Sequence, residues 1–190
     1  MSGENPVVLT RPERTHRLFF ALWPGEPLRT ALAPRIRALQ PAGVGRAQRP
    51  DQWHVTLEFL GSVPASRVAA AHDAAAQVHA SPSELRFDAV EFWRRPEVLC
   101  LVAREVPPPL ADLVAQLRAA LAAQGFEPET RPFRAHVTLA RKVTHKNIVR
   151  VHDMGDVGGL IAPRGLLIET GDKDPLNGAA GRLANVRSQV

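Results

Sequence analysis

Apolar positions first run together in Arg17-Leu18-Phe19-Phe20-Ala21-Leu22-Trp23, and Pro24-Gly25 ends the run. A short apolar run closed by turn residues predicts a buried strand. Leu28, Leu32, Ile36 and Leu39 then recur at intervals of three and four, which predicts a helix over residues 26–39, kinked or divided at Pro34. Residues 40–50 (QPAGVGRAQRP) predict a loop. Trp53 to Leu60 predicts a strand, and Gly61-Ser62-Val63-Pro64 a turn. Ser62 or Ser66 is then placed to cap a helix over residues 65–79.

The pattern then starts again. Leu85 to Phe92 predicts a strand with Leu85, Phe87, Ala89 and Glu91 on one side. Arg94-Arg95-Pro96 is a turn, and Val98 to Ala103 is an apolar strand antiparallel to the one before. Pro107-Pro108-Pro109 opens a helix over residues 109–124, with a core stripe of Leu110, Leu113, Leu117 and Leu121 and a stop at Gly125. Pro132-Phe133 leads into a strand over residues 135–141, and Gly165 to Thr170 predicts one more. Residues 144–159 and 171–190 show no clean period.

Both halves therefore run strand, helix, loop, strand. The closing strands carry the same four letters, His54-Val55-Thr56-Leu57 and His136-Val137-Thr138-Leu139. A repeated unit explains matching letters in matching context better than coincidence does.

Composition narrows the class without naming the chemistry. A chain of 190 residues, 45% hydrophobic and 23% charged, fits one globular domain, here expected as residues 16–190 in two lobes after a disordered tail over 1–15. The single Cys100 excludes an internal disulfide framework and lies in an apolar run, which predicts a buried filler. No apolar stretch nears the ~20 residues of a membrane helix. The first 16 residues lack a secretory pattern, so a cytoplasmic location without membrane association is expected. The net charge is +5, and Lys stands only at 142, 146 and 173, so the excess is carried by Arg. Arg forks suit phosphate. An anionic partner or a compositional bias accounts for them equally well.

On a strand, residues i and i+2 share a face. His54 and Thr56 therefore project together, as do His136 and Thr138, each pair backed by apolar residues on the other side. One such pair is weak support for catalysis, since a lone strand histidine is more often structural. Two pairs related by a pseudo-twofold axis can line one cleft. Two imidazoles with an ordinary pKa near ~6.5 form an acid–base pair, which suits displacement at a phosphodiester. The threonine hydroxyls can bond the non-bridging oxygens, and Arg141 can supply charge there. Plain alternation points Arg141 the other way, so a bulge or the strand's end must turn it inward.

Zinc would want three or four His, Cys or carboxylate ligands, and the i+2 partner is Thr in both copies. There is no G-x-S-x-G, no Walker A loop and no G-x-G-x-x-G.

At these residues the sequence resembles the two-histidine (2H) phosphoesterase superfamily, and within it the LigT-like RNA 2′,3′-cyclic phosphodiesterases, also called the 2′-5′ RNA ligase family. The resemblance rests on the two H-x-T-x motifs and on their flanks: Arg17 to Pro24, Glu58-Phe59-Leu60-Gly61 and Ala140-Arg141. It implies an α+β fold of two pseudo-symmetric lobes, with antiparallel sheets and outer helices around a central cleft. It also implies hydrolysis of an RNA 2′,3′-cyclic phosphate to a 2′-phosphate by a monomer, without metal, ATP or any other cofactor. His54 takes the proton-donor role, His136 the proton-acceptor role, and Thr56, Thr138 and Arg141 the phosphate-contacting positions. The chain departs from the group's late strand, with Glu169-Thr170 near an expected Ser, and it has no tyrosine.

Phe19, Trp23, Trp53 and Phe133 are candidates to stack on a base, but Phe19 reads better as core and alternation points Trp53 away from the catalytic face, into packing. Arg46, Arg49, Arg131 and Arg134 flank the motif strands and either guide an RNA backbone or solvate the loops. His16, His72, His79, His145 and His152 match no motif. Three functions remain open to the motifs. One is hydrolysis of an RNA end. Another is hydrolysis of a smaller cyclic nucleotide, ADP-ribose 1″,2″-cyclic phosphate or 2′-5′ oligoadenylate. The third is an RNA-binding module without turnover.

Overall fold

The computed structural model describes residues 13–39 and 45–142, together with the backbone of three short strands beyond them. In chain order the elements are β1 (Thr15–Leu22), α1 (Glu26–Leu39), β2 (Arg46–Ala47), β3 (Val55–Pro64), α2 (Val68–Ala76), β4 (Leu85–Phe87), β5 (Ala89–Trp93), β6 (Val98–Val102), α3 (Pro108–Ala123), β7 (His136–Arg141), β8 (Val157–Gly159), β9 (Leu167–Gly171) and β10 (Ala184–Asn185). One sheet runs β10-β9-β1-β3-β7-β6-β5, with β2 added beside β7, and β4 pairs with β8 apart from it. All of these pairings are antiparallel.

The two repeats are β1-α1-β3 and β6-α3-β7, and their sheets meet where β3 and β7 pair. Alternation in each strand gives the sheet one apolar face. Leu18, Phe20, Leu22, Val55, Leu57, Leu101, Val137 and Leu139 pack there with Ile36 of α1, Ala71 and Ala74 of α2 and the stripe of α3. All four predicted leucines of that stripe are buried, and Gly125 closes α3 with φ 73°, a conformation open to glycine. The other face of β3 and β7 carries the polar residues of both motifs, next to a second buried cluster of Ala89, Val98, Cys100 and Val102.

Several elements differ from the sequence expectations. Pro34 lies within α1 without dividing it; the helix still delivers Ile36 to the core. Gly61 to Pro64 stays in β3, paired with Thr15 to Leu18, and Gly61 takes φ 70° where Leu60 is bulged out between two partners. Neither serine caps a helix. Ser62 is inside β3, a 3₁₀ turn covers Ala65–Arg67, and the Ser66 N–H donates to the Glu13 carboxylate. The Ala65 N–H donates to the Arg14 carbonyl, so Glu13 and Arg14 are both tied to the turn after β3. Residues 1–12 lie outside the described residues.

The strand expected over Leu85 to Phe92 is two strands in different sheets. Asp88 makes the break: its N–H goes to the Val102 carbonyl, and its carboxylate accepts the Arg104 N–H, each at 3.1 Å. The 40–50 loop contains β2, which sits beside β7.

Candidate active site

Val55 of β3 pairs with Val137 of β7. These are the same position of the two motifs, so a pseudo-twofold axis passes through the pair. The flanking ladders agree: Leu22 and Ala21 pair with Val55 and Thr56, as Leu101 and Cys100 pair with Val137 and Thr138. Both valines are buried on the core side. His54, Thr56, His136 and Thr138 are half-buried on the opposite face. Extending the register one residue each way sets His54 across from Thr138 and Thr56 across from His136.

Arg141 joins them because β7 is bulged. Cys100 pairs with Thr138 and Leu99 with Ala140, leaving Leu139 unpaired between them. The extra residue resets the alternation, so Arg141 pairs with Val98 and shares the face of Thr138. β3 carries the same device. Ala21 pairs with Thr56 and Phe20 with Glu58, which skips Leu57. Phe59 is thereby brought to the site face, where it is 44% exposed, and Glu58 to the core, where it is buried.

Each histidine is held in the same way. His54 Nδ1 lies 2.7 Å from the Gln52 carbonyl, and His136 Nδ1 lies 2.8 Å from the Arg134 carbonyl. A carbonyl only accepts, so both Nδ1 atoms carry hydrogen and donate. Nε2 is left in each ring as the group that exchanges a proton. The rings lie against aromatics. Phe19 and Trp23 have centroids 5.2 and 5.0 Å from His54, and Trp93 lies 4.4 Å from His136. Burial among these rings lowers the pKa of both histidines below the ordinary value. The Nδ1 bonds work against that shift, and positive charge adds to it: Arg141 at both rings, His136 at His54, and Arg134 at His136.

The two sides of the seam are filled differently. On one side β2 occupies the gap, with Ala47 opposite Ala140 and Arg46 opposite Arg141. On the other side a groove of about 480 Å³ opens beside Thr56 and His136, walled by Phe59, Trp93, Phe133, Arg131 and Arg134. Glu58 bridges its floor. One carboxylate oxygen accepts from Arg118 Nε at 2.7 Å, the other from the Glu129 N–H at 2.6 Å. Arg118 also donates to the Arg131 carbonyl at 3.1 Å, so the segment leading into β7 is tied to α3 and β3. Trp93 is fixed by its Nε1–H on Glu91 at 2.8 Å and by Arg134, which covers its ring and pairs with the same carboxylate.

The five expected site residues thus lie on one face, three from β7 and two at the start of β3. Of the expected aromatics, Phe19 and Trp23 stack on His54, Phe133 lines the groove, and Trp53 is buried in the core. Trp93 and Phe59 were not foreseen. Trp93 lies just past the expected end of its strand, and Phe59 reaches the site only through a bulge. Cys100 is buried as expected, yet it also sits opposite Thr138 in the ladder. Arg49, Arg131 and Arg134 are paired with Asp51, Glu129 and Glu91. His16, His72 and His79 do not line the groove, and His145 and His152 lie outside the described residues. Among the described residues, no three His, Cys, Asp or Glu side chains converge as a metal would require. A pair of Nε2 atoms, two hydroxyls and a guanidinium on one face have the chemistry to serve as an acid–base pair with donors for a developing oxyanion.

Comparison with known proteins gives the family and the fold. The family model described as "LigT like Phosphoesterase" matches residues 24–100 and 101–151. An RNA 2′,3′-cyclic phosphodiesterase of Escherichia coli (strain K12) is 33% identical over 125 residues, 66% of this chain and 71% of that protein. One of the same name from Archaeoglobus fulgidus is 28% identical over 134 residues, 69% of this chain and 74% of that protein. The crystal structure of E. coli LigT in apo form superposes with a TM-score of 0.73 at 25% identity, covering 93% of this chain and 96% of that one.

Proposed function

The chain belongs to the LigT-like phosphoesterase family, and on that premise we propose that it hydrolyses the 2′,3′-cyclic phosphate at an RNA end to a 2′-phosphate. The activity is the one for which the E. coli and A. fulgidus relatives are named. His136, neutral at Nε2, takes a proton from a water that attacks phosphorus. His54, protonated at Nε2, gives one to the leaving 3′ oxygen. The P–O3′ bond breaks, the phosphate stays on O2′, and the proton positions exchange between the rings. Thr56, Thr138 and Arg141 bond the non-bridging oxygens as charge builds on them.

The observation that carries this reading is the Val55–Val137 register, which turns both His-x-Thr pairs toward one space. Both Nδ1 atoms are already committed to the backbone, so only Nε2 is left to face a substrate. In the same reading the protein acts as a monomer in the cytoplasm and needs no cofactor or membrane. Among the described residues no helix is long and apolar enough to cross one.

The test is to incubate the protein with an RNA ending in a 2′,3′-cyclic phosphate and to identify the hydroxyl that keeps the phosphate. A 2′-phosphate formed at the same rate with EDTA is the expected result. A 3′-phosphate, or dependence on added metal, would overturn the assignment. Nucleoside cyclic phosphates and 2′-5′ oligoadenylate, assayed alongside, define the substrate range. Light scattering tests the monomer.

A further inference from the structure

Arg46 and Arg141 are register partners on β2 and β7, so their side chains leave the same face of the sheet from directly opposed positions. Like charges directly opposite across a ladder destabilise it, because the Cβ atoms stand only about 4.5–5.5 Å apart. A carboxylate normally relieves such a pair. Among the described residues, the ion pairs go elsewhere: Asp51 to Arg49, Glu129 to Arg131, Glu91 to Arg134 and Glu58 to Arg118. Of the four arginines that flank the motif strands, Arg46 alone has no such neutralising partner among them, and it is exposed. The backbone holds it there: the Ala47–Ala140 pair and the Gln48 N–H on the Leu139 carbonyl at 2.8 Å seat β2 against the bulge that turns Arg141 inward.

We propose that Arg46 binds the phosphodiester immediately 5′ of the terminal nucleotide, so that the site selects a cyclic phosphate belonging to a chain over a free nucleoside cyclic phosphate. This rests on the roles given above to the two histidines. The leaving 3′ oxygen remains on the ribose, and its proton donor is His54. The ribose therefore lies on the His54 side of the phosphorus, and the chain 5′ of it extends the same way. β2 lies on that side, leading into His54 through the turn at Pro50–Gln52. With Arg141 assigned to the cyclic phosphate, the guanidinium opposite it is the next cation along this path. The groove beside His136 is on the attacking-water side, and its arginines are already neutralised by carboxylates.

The experiment compares kcat/KM for a dinucleotide ending in a 2′,3′-cyclic phosphate with that for the matching nucleoside 2′,3′-cyclic monophosphate. Arg46→Ala is expected to lower the dinucleotide-to-mononucleotide ratio about tenfold, the scale of one charge-assisted contact. It should also reduce the salt dependence of dinucleotide KM by about one phosphate contact. Arg37→Ala removes the same charge from α1, on the helix side of the sheet, and should keep the wild-type ratio. Arg46→Lys, which keeps the charge, should fall between wild type and Arg46→Ala. An unchanged ratio in Arg46→Ala overturns the proposal, whether both substrates lose equally or neither loses. An equal loss in Arg37→Ala also overturns it, by reducing the effect to net charge. Wild-type protein inert on both substrates would instead remove the hydrolase assignment beneath it.

Discussion

Val55 and Val137 face each other across the seam of the sheet, each buried, each with a histidine on one side and a threonine on the other. That single pair sets how the two His-x-Thr units meet on the opposite face. It makes each ring the neighbour of the other motif's hydroxyl, so neither motif forms a complete site alone.

Loss of either ring should therefore remove the chemistry while sparing the fold. His54→Ala and His136→Ala are each expected to lower turnover about 10²–10⁴-fold. Each ring makes one bond, to a carbonyl in its own strand segment, so the stability cost should be about 1 kcal/mol. Rates and urea midpoints on the same preparations check both halves of this expectation. A variant that retains turnover would exclude its ring from the reaction.

The acidity of the rings predicts the pH profile. Both lie below the ordinary value of 6.5, chiefly through burial, so the neutral form is favoured in the folded protein. In the free enzyme kcat/KM rises as the acceptor loses its proton and falls as the donor loses its own. Both limbs then lie below pH 6.5, and the maximum lies between them. The stability linkage has the matching sign. The unfolded chain takes up protons first as pH falls, so this contribution is complete above 6.5 and is lost as pH drops through the folded values. Imidazole resonances followed by NMR give the two titrations directly.

Trp93 covers His136, and its removal should be visible in that titration. Trp93→Ala admits water to the ring, relieves the burial that holds its pKa down and moves it up toward 6.5. The corresponding limb of the rate profile should move with it, while Trp93→Phe keeps most of the cover. An unmoved His136 titration in Trp93→Ala would show that the ring is buried by something else.

Glu58 is a buried carboxylate with two partners on different segments. Glu58→Ala strands Arg118 and the Glu129 N–H together and should cost about 2–3 kcal/mol in urea denaturation. Glu58→Gln keeps an acceptor and should cost less. The same substitution frees the segment that carries Arg131 and Arg134, so KM should rise more than kcat falls.

Burial pushes the Cys100 thiol up to about 11, which leaves almost no thiolate at neutral pH. The native protein should resist a thiol reagent such as DTNB and react with one equivalent once unfolded. Rapid reaction in the native state would contradict the burial of β6.

The functional pairs were legible because alternation on a strand is strict wherever one face is apolar. His-Val-Thr-Leu reads its own orientation, and the leucine stripe of α3 did the same for a helix. Arg141 was legible as a candidate, but its orientation was not. A bulge at Leu139 leaves no mark in the letters, since leucine suits a bulged and a regular position alike. Asp88 ended a strand without glycine or proline because its carboxylate found a backbone N–H sixteen residues away in sequence. Local rules favour Ser62 or Ser66 as a cap, whereas Glu13 claims the Ser66 N–H from outside the segment. The last two misses are long-range bonds overriding a local preference.

The extra residue in each motif strand has a consequence for how this sequence can vary. Replacing Leu139 with another aliphatic side chain changes only how a gap is filled. Pairing every residue of the strand at its present length would swap inside for outside along everything downstream, driving a guanidinium into the oily layer and lifting an alanine into solvent, whereas dropping that one position would leave both where they are. What drift must preserve is parity: the strand can carry one skipped aliphatic residue there or do without it, but it cannot bring that residue into the ladder.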